Sequence, residues 1–160
     1  MSRLRSWLVL LLTASFLVSC QASEPVLPAD VVARVAEDSR ERNYDLAWQE
    51  IAALNGALER EELTGLTSDA LLVTARMERL HRGRPADMGD WTSLGKRDQL
   101  IEQGRERSDM QLLSHARQTA QVLRERFDAG DFESAKWFAL DLSVTLEFMG
   151  EEVRGPQAWR

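Results

Sequence analysis

The stretch Gly130-Asp131-Phe132-Glu133-Ser134-Ala135 contains the clearest boundary between two helices in this sequence. Glycine often follows the last residue of a helix, and aspartate often caps the first turn of the next one. A helix is therefore predicted from Asp131 to about Met149, with Gly150 and Pro156 ending it. Its apolar residues recur at helical spacing and predict the most buried helix of the fold: Phe132, Ala135, Trp137, Phe138, Leu142 and Leu146.

Five further helices are predicted before this boundary, at about 29–42, 44–60, 67–82, 91–105 and 108–129. Ser108 and Gln111 form a capping-box signature before the last of these. The first two helices are amphipathic, so each must bury an apolar stripe. The stripe expected for the second helix comprises Tyr44, Ala47, Trp48, Ile51, Leu54 and Leu58. Since no strand pattern of useful length occurs, the sequence predicts an all-α domain of about six helices over residues 29–150.

Three short segments resemble one another: Arg42-Asn43-Tyr44-Asp45-Leu46-Ala47, Gly89-Asp90-Trp91-Thr92-Ser93-Leu94 and Gly130-Asp131-Phe132-Glu133-Ser134-Ala135. Each places Asn or Asp before an aromatic residue, and each is predicted to open the second helix of an antiparallel hairpin. This pattern resembles tetratricopeptide-like arrays, and the resemblance implies three stacked hairpins with a concave groove that binds peptides or proteins. The spacings of 47 and 41 residues exceed the roughly 34-residue repeat of that family. The alternative is a closed helical bundle with convergent turn chemistry.

The N-terminus has the order of residues expected of an export signal. Arg3 and Arg5 precede an apolar run, and Leu17-Val18-Ser19-Cys20 follows it. The last four residues resemble the lipobox of bacterial lipoproteins. That resemblance implies cleavage of a signal peptide helix at residues 1–19, a diacylglyceryl group on the Cys20 thiol and a further acyl chain, such as palmitate, on its amine. Because Gln21 is not the aspartate that retains such proteins in the inner membrane, the resemblance favours the outer membrane, facing the periplasm.

The remaining segments are a tether at residues 20–28, which contains Pro25 and Pro28, and a polar tail at 151–160. Without Arg3 and Arg5, the chain carries 18 basic and 26 acidic side chains, a net charge of −8. This charge argues against nucleic acid as a partner. Cys20 is the only cysteine, so an intramolecular disulfide is excluded and the fold must be stabilised by packing.

No pattern in the sequence indicates catalysis, a metal site or a cofactor. His81 and His115 lie on different predicted helices, and neither has a ligand partner at the spacing of a zinc site. The only metal arrangement left open combines His115 with Glu102, Glu106 or Asp109. Ser93-Leu94-Gly95-Lys96 matches the S-x-x-K motif of penicillin-interacting enzymes by chance, because their K-T-G motif and sheet are missing. The chain is therefore expected not to be an enzyme.

Three aromatic residues, Tyr44, Trp48 and Trp91, are the candidates for a partner-binding surface. Aromatic residues in helical domains usually fill the core. The alternative for Trp91, which follows the loop-like stretch 83–90, is that it lines a binding groove. The sequence thus favours a lipid-anchored, non-catalytic adaptor that binds an envelope protein. The alternative is a helical bundle that binds a small apolar ligand or a metal between its helices.

Overall fold

The computed structural model describes residues 27–83 and 94–154, with side chains at 27–83 and 98–150. These ranges form six helices and no strand: α1 (Ala29–Glu37), α2 (Arg40–Glu59), α3 (Leu66–Arg82), α4 (Leu94–Arg105), α5 (Asp109–Asp128) and α6 (Phe132–Arg154). The predicted all-α domain of six helices is confirmed. The predicted signal peptide, Cys20, Trp91 and the end of the tail lie outside the described residues.

The boundary between α1 and α2 differs from the prediction. The first helix ends at Glu37 rather than near Arg42, because Asp38 and Ser39 adopt extended backbone conformations, and the Ser39 hydroxyl accepts a hydrogen bond from the Arg42 amide at 3.2 Å. Asn43, predicted to lie in a turn, is a fully buried residue inside α2. A second correction concerns α6, which continues past Gly150 to Arg154.

Helices α2, α3, α6 and α5 pack as a closed ring in which each contacts its two neighbours. Helix α2 runs antiparallel to α5, as two contacts show. Tyr44 near the start of α2 stacks on Phe127 near the end of α5, and Arg117 in the first half of α5 donates to the carbonyl of Leu58 near the end of α2. The helices therefore pair differently from the three consecutive hairpins predicted. The hairpins of the ring are α2–α3 and α5–α6, and the arrangement corresponds to the closed-bundle alternative.

The six helices form three layers. The main apolar cluster lies between the α2/α5 layer and the α3/α6 layer, and a second cluster lies between α3/α6 and the α1/α4 layer. Helices α3 and α6 contribute to both clusters. The burial predicted for α6 is thus shared with α3, whose residues 72–78 are all buried. The α2/α5 and α1/α4 layers form opposite faces of the domain.

The domain contains an internal repeat of three helices that a shift of 69 positions brings into register. The shift takes Ser39 to Ser108 and takes the buried α2 residues Ala47, Ile51, Leu54 and Leu58 to Ala116, Ala120, Leu123 and Phe127. The turns after α2 and α5 match as well, since Glu61 and Gly130 both have left-handed φ angles, of 59° and 73°. Their amides donate to the carbonyls of Leu58 and Phe127, three residues earlier. The equivalent helices of the two copies, α2 and α5, pack against each other in antiparallel orientation.

Candidate functional site

Two large aromatic side chains are exposed side by side on α2. Tyr44 and Trp48 are 42% and 47% exposed, and their spacing of four residues places them on one face of the helix. They form, with Asp45 and Gln49, what we call the α2 aromatic surface. The other large exposed apolar residue described is Met110, which stands alone at the start of α5. The prediction that Tyr44 and Trp48 belong to the inward stripe of α2 is therefore wrong; both lie at its solvent-exposed edge.

Both rings are held in place by neighbouring side chains. The Tyr44 ring stacks on the buried Phe127 ring with a centroid distance of 4.8 Å and meets the Phe132 ring edge-on at 6.3 Å. The Arg124 guanidinium lies 5.2 Å from the centre of the Trp48 ring and is itself bonded to Asp128 at 2.9 Å. These contacts fix the orientation of the two rings before any partner binds, which reduces the entropy lost on binding.

Two open cavities lie along this surface and share Tyr44 and Asp45. The larger, about 430 Å³, is lined by Arg40, Glu41, Tyr44, Asp45, Leu80 and Phe132. The smaller, about 330 Å³, is lined by Tyr44, Asp45, Trp48 and Gln49. Aromatic rings with a few polar groups at the edge are the composition of a binding site for a peptide or a small molecule.

A cluster of buried charges joins the α1–α2 corner to α3. The Arg76 side chain is 1% exposed and bonds to Glu50 and Asp38, both at 2.9 Å. It also donates to the Asn43 side-chain oxygen at 2.6 Å, while the Asn43 amide donates to the carbonyls of Val35, Asp38 and Ser39. Burial raises the pKa of Glu50, and the hydrogen bond and charge of Arg76 oppose this effect. Since these polar groups bond to one another, the cluster is a structural joint.

A second buried ion pair links the middle helices. Lys136 of α6 donates to the Glu78 carboxylate of α3 at 2.7 Å, and both side chains are at most 5% exposed. Arg82 contacts the other oxygen of the same carboxylate. The Lys136 ammonium also lies 4.6 Å from the centre of the Trp137 ring. Removing water from both charges costs energy that only close contacts offset, so this pair fixes the register of α3 against α6.

Both histidines lie within the described part of the chain, at different places in the bundle. The His115 Nε2 atom lies 2.9 Å from Asp141, a contact that connects α5 to α6. It also lies 3.3 Å from the hydroxyl of Thr119, one turn along α5. His81 is exposed at the end of α3. Within residues 27–83 and 98–150, no group of three or more His, Cys, Asp and Glu side chains is arranged to hold a metal ion.

The structure brings together two of the three predicted partner-binding residues, Tyr44 and Trp48, whereas Trp91 lies outside the described residues. Sequence reasoning missed Asp45, which lines both cavities, and Arg124, which covers one side of Trp48. The position of Asp45 between two exposed aromatic residues on α2 is a signal that was available in the sequence. The contact of Arg124 with Trp48 was not predictable from the sequence, because it depends on the pairing of α2 with α5.

None of the helices in the described ranges combines the length and hydrophobicity needed to cross a membrane. Comparison of the chain with models of protein families, with curated proteins and with solved structures finds no match.

Proposed function

We propose that this chain is a lipid-anchored protein of the bacterial envelope, held through Cys20 at the periplasmic face of the outer membrane, whose α2 aromatic surface binds a protein partner. The observation that carries the proposal is the exposure of Tyr44 and Trp48 as a preoriented pair beside two open cavities. Tyr and Trp are enriched among the few residues that contribute most of the binding energy at protein interfaces. Exposing them costs energy in water, which a partner surface would recover.

The point at which the tether joins the domain predicts which face of the domain would lie towards the membrane. Leu27 is 1% exposed and belongs to the second apolar cluster, so the chain is fixed to the domain on the α1/α4 side. Six residues separate Cys20 from Leu27, and a fully extended chain of that length reaches at most about 25 Å. A lipid on Cys20 would therefore keep the α1/α4 side near the bilayer. The α2 aromatic surface, on the opposite layer, would face the periplasm.

The two cavities favour a surface interaction over the alternative of a ligand enclosed between helices, since both open to solvent along α2. Anchoring would also confine the protein to a surface and raise its effective concentration near other envelope proteins. No metal or cofactor is part of the proposal.

The proposal is tested by crosslinking in intact cells. A photoreactive amino acid replaces Gln49 in the α2 aromatic surface or, as the matched control, Gln118, its counterpart in the repeat; both positions are exposed. We expect one reproducible adduct from position 49, none of that size from position 118, and loss of the adduct when Trp48→Ala is added. Equal adducts from both positions, or none from either, would contradict the binding surface.

The anchor is tested separately with Cys20→Ala. Alanine has no thiol that could receive an acyl chain, so we expect this variant to leave the membrane fraction and to keep the thermal unfolding curve of the parent domain. Retention in the membrane fraction after a carbonate wash would disprove anchoring through Cys20.

A further inference from the structure

We infer that the α2 aromatic surface binds a cationic side chain, Lys or Arg, from a basic segment of the partner protein. This inference rests on the proposed function and specifies the chemistry of the partner. The site is the smaller cavity, which is lined by two aromatic rings, one carboxylate and one amide: Tyr44, Trp48, Asp45 and Gln49.

The charge in this cavity is negative. Among the described residues that line it, Asp45 alone is charged. Its exposed carboxylate has no hydrogen-bond or ion-pair partner within residues 27–83 and 98–150. Glu41, one turn earlier on α2, is also exposed and lines the larger cavity beside Asp45. Arg40 lines that larger cavity too and offsets one of the two carboxylates. A net negative charge therefore remains along the surface, and the Asp45 carboxylate lines the same cavity as the Tyr44 and Trp48 rings.

The Trp48 ring already accepts a guanidinium within the protein. Arg124 lies 5.2 Å from the ring centre, which is within the range of a cation–π contact. The bond from Arg124 to Asp128 at 2.9 Å neutralises that charge, which limits repulsion of a second cation. A Lys or Arg from a partner would contact the exposed part of the same ring and the Asp45 carboxylate together. The combination of ring and carboxylate favours a cation over an apolar side chain of similar size.

The repeat shows that this chemistry is confined to one end of the α2/α5 layer. The shift of 69 positions takes the four lining residues of the smaller cavity, in chain order, to Leu113, Ser114, Arg117 and Gln118. That end contains no aromatic ring or carboxylate at the equivalent positions, and Arg117 there is bonded to Glu61 and to the Leu58 carbonyl. The two ends share a backbone arrangement, so their different side chains point to a function at one end only.

The whole chain supports the same choice of partner. Its net charge of −8 after the signal attracts a basic segment at long range and repels anionic lipid headgroups and nucleic acid. The net charge attracts a cation to the protein without selecting a site, whereas the Tyr44 and Trp48 rings offer a cation–π contact at one place on the surface.

The test measures binding of a labelled peptide by fluorescence anisotropy, with the full-length lipidated protein in nanodiscs of zwitterionic lipid. The probe is a 12-residue peptide in which Arg alternates with Ser, and the comparison peptide carries Glu in place of Arg. We expect the Arg peptide to bind more tightly than the Glu peptide by at least tenfold. Asp45→Asn and Trp48→Ala are each expected to weaken binding of the Arg peptide about threefold to tenfold, since both contacts contribute to a partly exposed site.

Glu59→Gln is the matched control, because it removes the same charge from an exposed position at the far end of the same helix. It is expected to change the dissociation constant less than twofold. Cooperative unfolding transitions close to that of the parent protein confirm that Asp45→Asn and Trp48→Ala leave the fold intact.

Three results would overturn the inference: equal binding of the two peptides, equal weakening by Glu59→Gln and Asp45→Asn, or self-association of the protein that Trp48→Ala abolishes while neither peptide binds. If the in-cell adduct from position 49 persists in any of these cases, the cationic site is wrong and the protein-binding proposal stands. If that adduct is absent as well, both are wrong.

Discussion

The two halves of the domain, residues 27–83 and 94–154, repeat one arrangement of three helices but hold their first helix in place by different chemistry. In the first half, Arg76 bonds to Asp38, Glu50 and Asn43. In the second half, Thr145 occupies the position equivalent to Arg76. The positions equivalent to Asp38, Glu50 and Asn43 are occupied by Arg107, Thr119 and Leu112, in that order. The second half uses shape instead: Gly104 of α4 lies directly against the Phe148 ring of α6.

In both halves, the first helix needs close contacts with the rest of the domain, but these contacts can be polar, as at Arg76, or apolar, as at Gly104. A guanidinium needs partners in fixed directions, so the Arg76 cluster fixes the α1–α2 corner in orientation as well as distance. A ring against a glycine sets only how closely two helices approach. The first half should therefore be sensitive to loss of one charge, and the second half to added volume.

The largest expected effect comes from Arg76→Met. The change leaves Glu50 partly buried without its cation and Asp38 paired only with Arg42. Breaking a buried pair from one side costs about 3–5 kcal/mol of the free energy of unfolding. Urea unfolding measures the loss. Arg117→Met, which removes an arginine that is 41% exposed and bonded to Glu61 and the Leu58 carbonyl, is the control and should change stability by about 1 kcal/mol or less.

A double variant sharpens this result. Arg76→Met combined with Glu50→Met replaces the main ion pair with uncharged groups, as Thr145 and Thr119 do in the second half, and should recover most of the loss. If Arg76→Met alone is neutral, the cluster does not hold the joint and the contrast between the halves fails.

The second prediction concerns volume at Gly104. A Cβ atom there would lie 2.4 Å from the Phe148 ring, so Gly104→Val, which introduces the residue found at the equivalent position 35, should cost about 1–3 kcal/mol through overpacking. Gly150→Val adds the same side chain to α6 at a position with no atom within 4 Å of the new Cβ, and serves as the control. Adding Phe148→Ala to Gly104→Val should cost less than the sum of the separate changes; simple additivity would mean that the ring and the glycine are not coupled.

Local signals in the sequence were enough to place several helix ends. Gly130 adopts a left-handed conformation that glycine allows at little cost, and Gln111 reaches back to the Ser108 amide at 2.8 Å. Asn43 was misread, because an asparagine before an aromatic residue has the same appearance whether it caps a helix or is buried. Its amide bonds to carbonyls of the preceding helix and corner, contacts that depend on how α1 packs.

The sequence did not predict which helices pack against each other, since periodicity identifies the apolar stripe of a helix but not the helix that covers it. The stripe of α2 was predicted to include Tyr44 and Trp48, and only the antiparallel packing on α5 determines that both lie at its edge. The repeat was missed for a related reason. Its halves agree in burial and turn geometry at a shift of 69, as at Glu61 and Gly130, while few of their residues are identical.

The third prediction is a pH dependence specific to the first half. Burial raises the pKa of Glu50 above its ordinary value of 4.5, so the folded state binds this proton more tightly than the unfolded state. The contribution of Glu50 to stability should therefore fall as pH rises from 4.5 through the raised pKa, and should be level at higher pH. Thr119 occupies the equivalent position in the second half and does not titrate.

Urea unfolding of the parent protein and of Glu50→Gln between pH 4 and pH 7 isolates this contribution. The stability of the parent relative to the variant should decline with rising pH. A difference that is constant with pH, or that grows, would contradict the effect of burial on the Glu50 carboxyl.

The smallest effect on stability is expected at a pair of exposed, equivalent positions that carry different side chains. Trp48 and Arg117 occupy equivalent positions and are 47% and 41% exposed, so Trp48→Ala and Arg117→Ala should each change the free energy of unfolding by about 1 kcal/mol or less. In the crosslinking experiment, by contrast, Trp48→Ala should abolish the adduct at position 49, while Arg117→Ala should leave it unchanged. Surface positions that contribute little to folding are free to diverge between two copies of a repeat. An exposed tryptophan at one of them is therefore better explained by binding than by stability, and a loss well above 1 kcal/mol on Trp48→Ala would remove that argument.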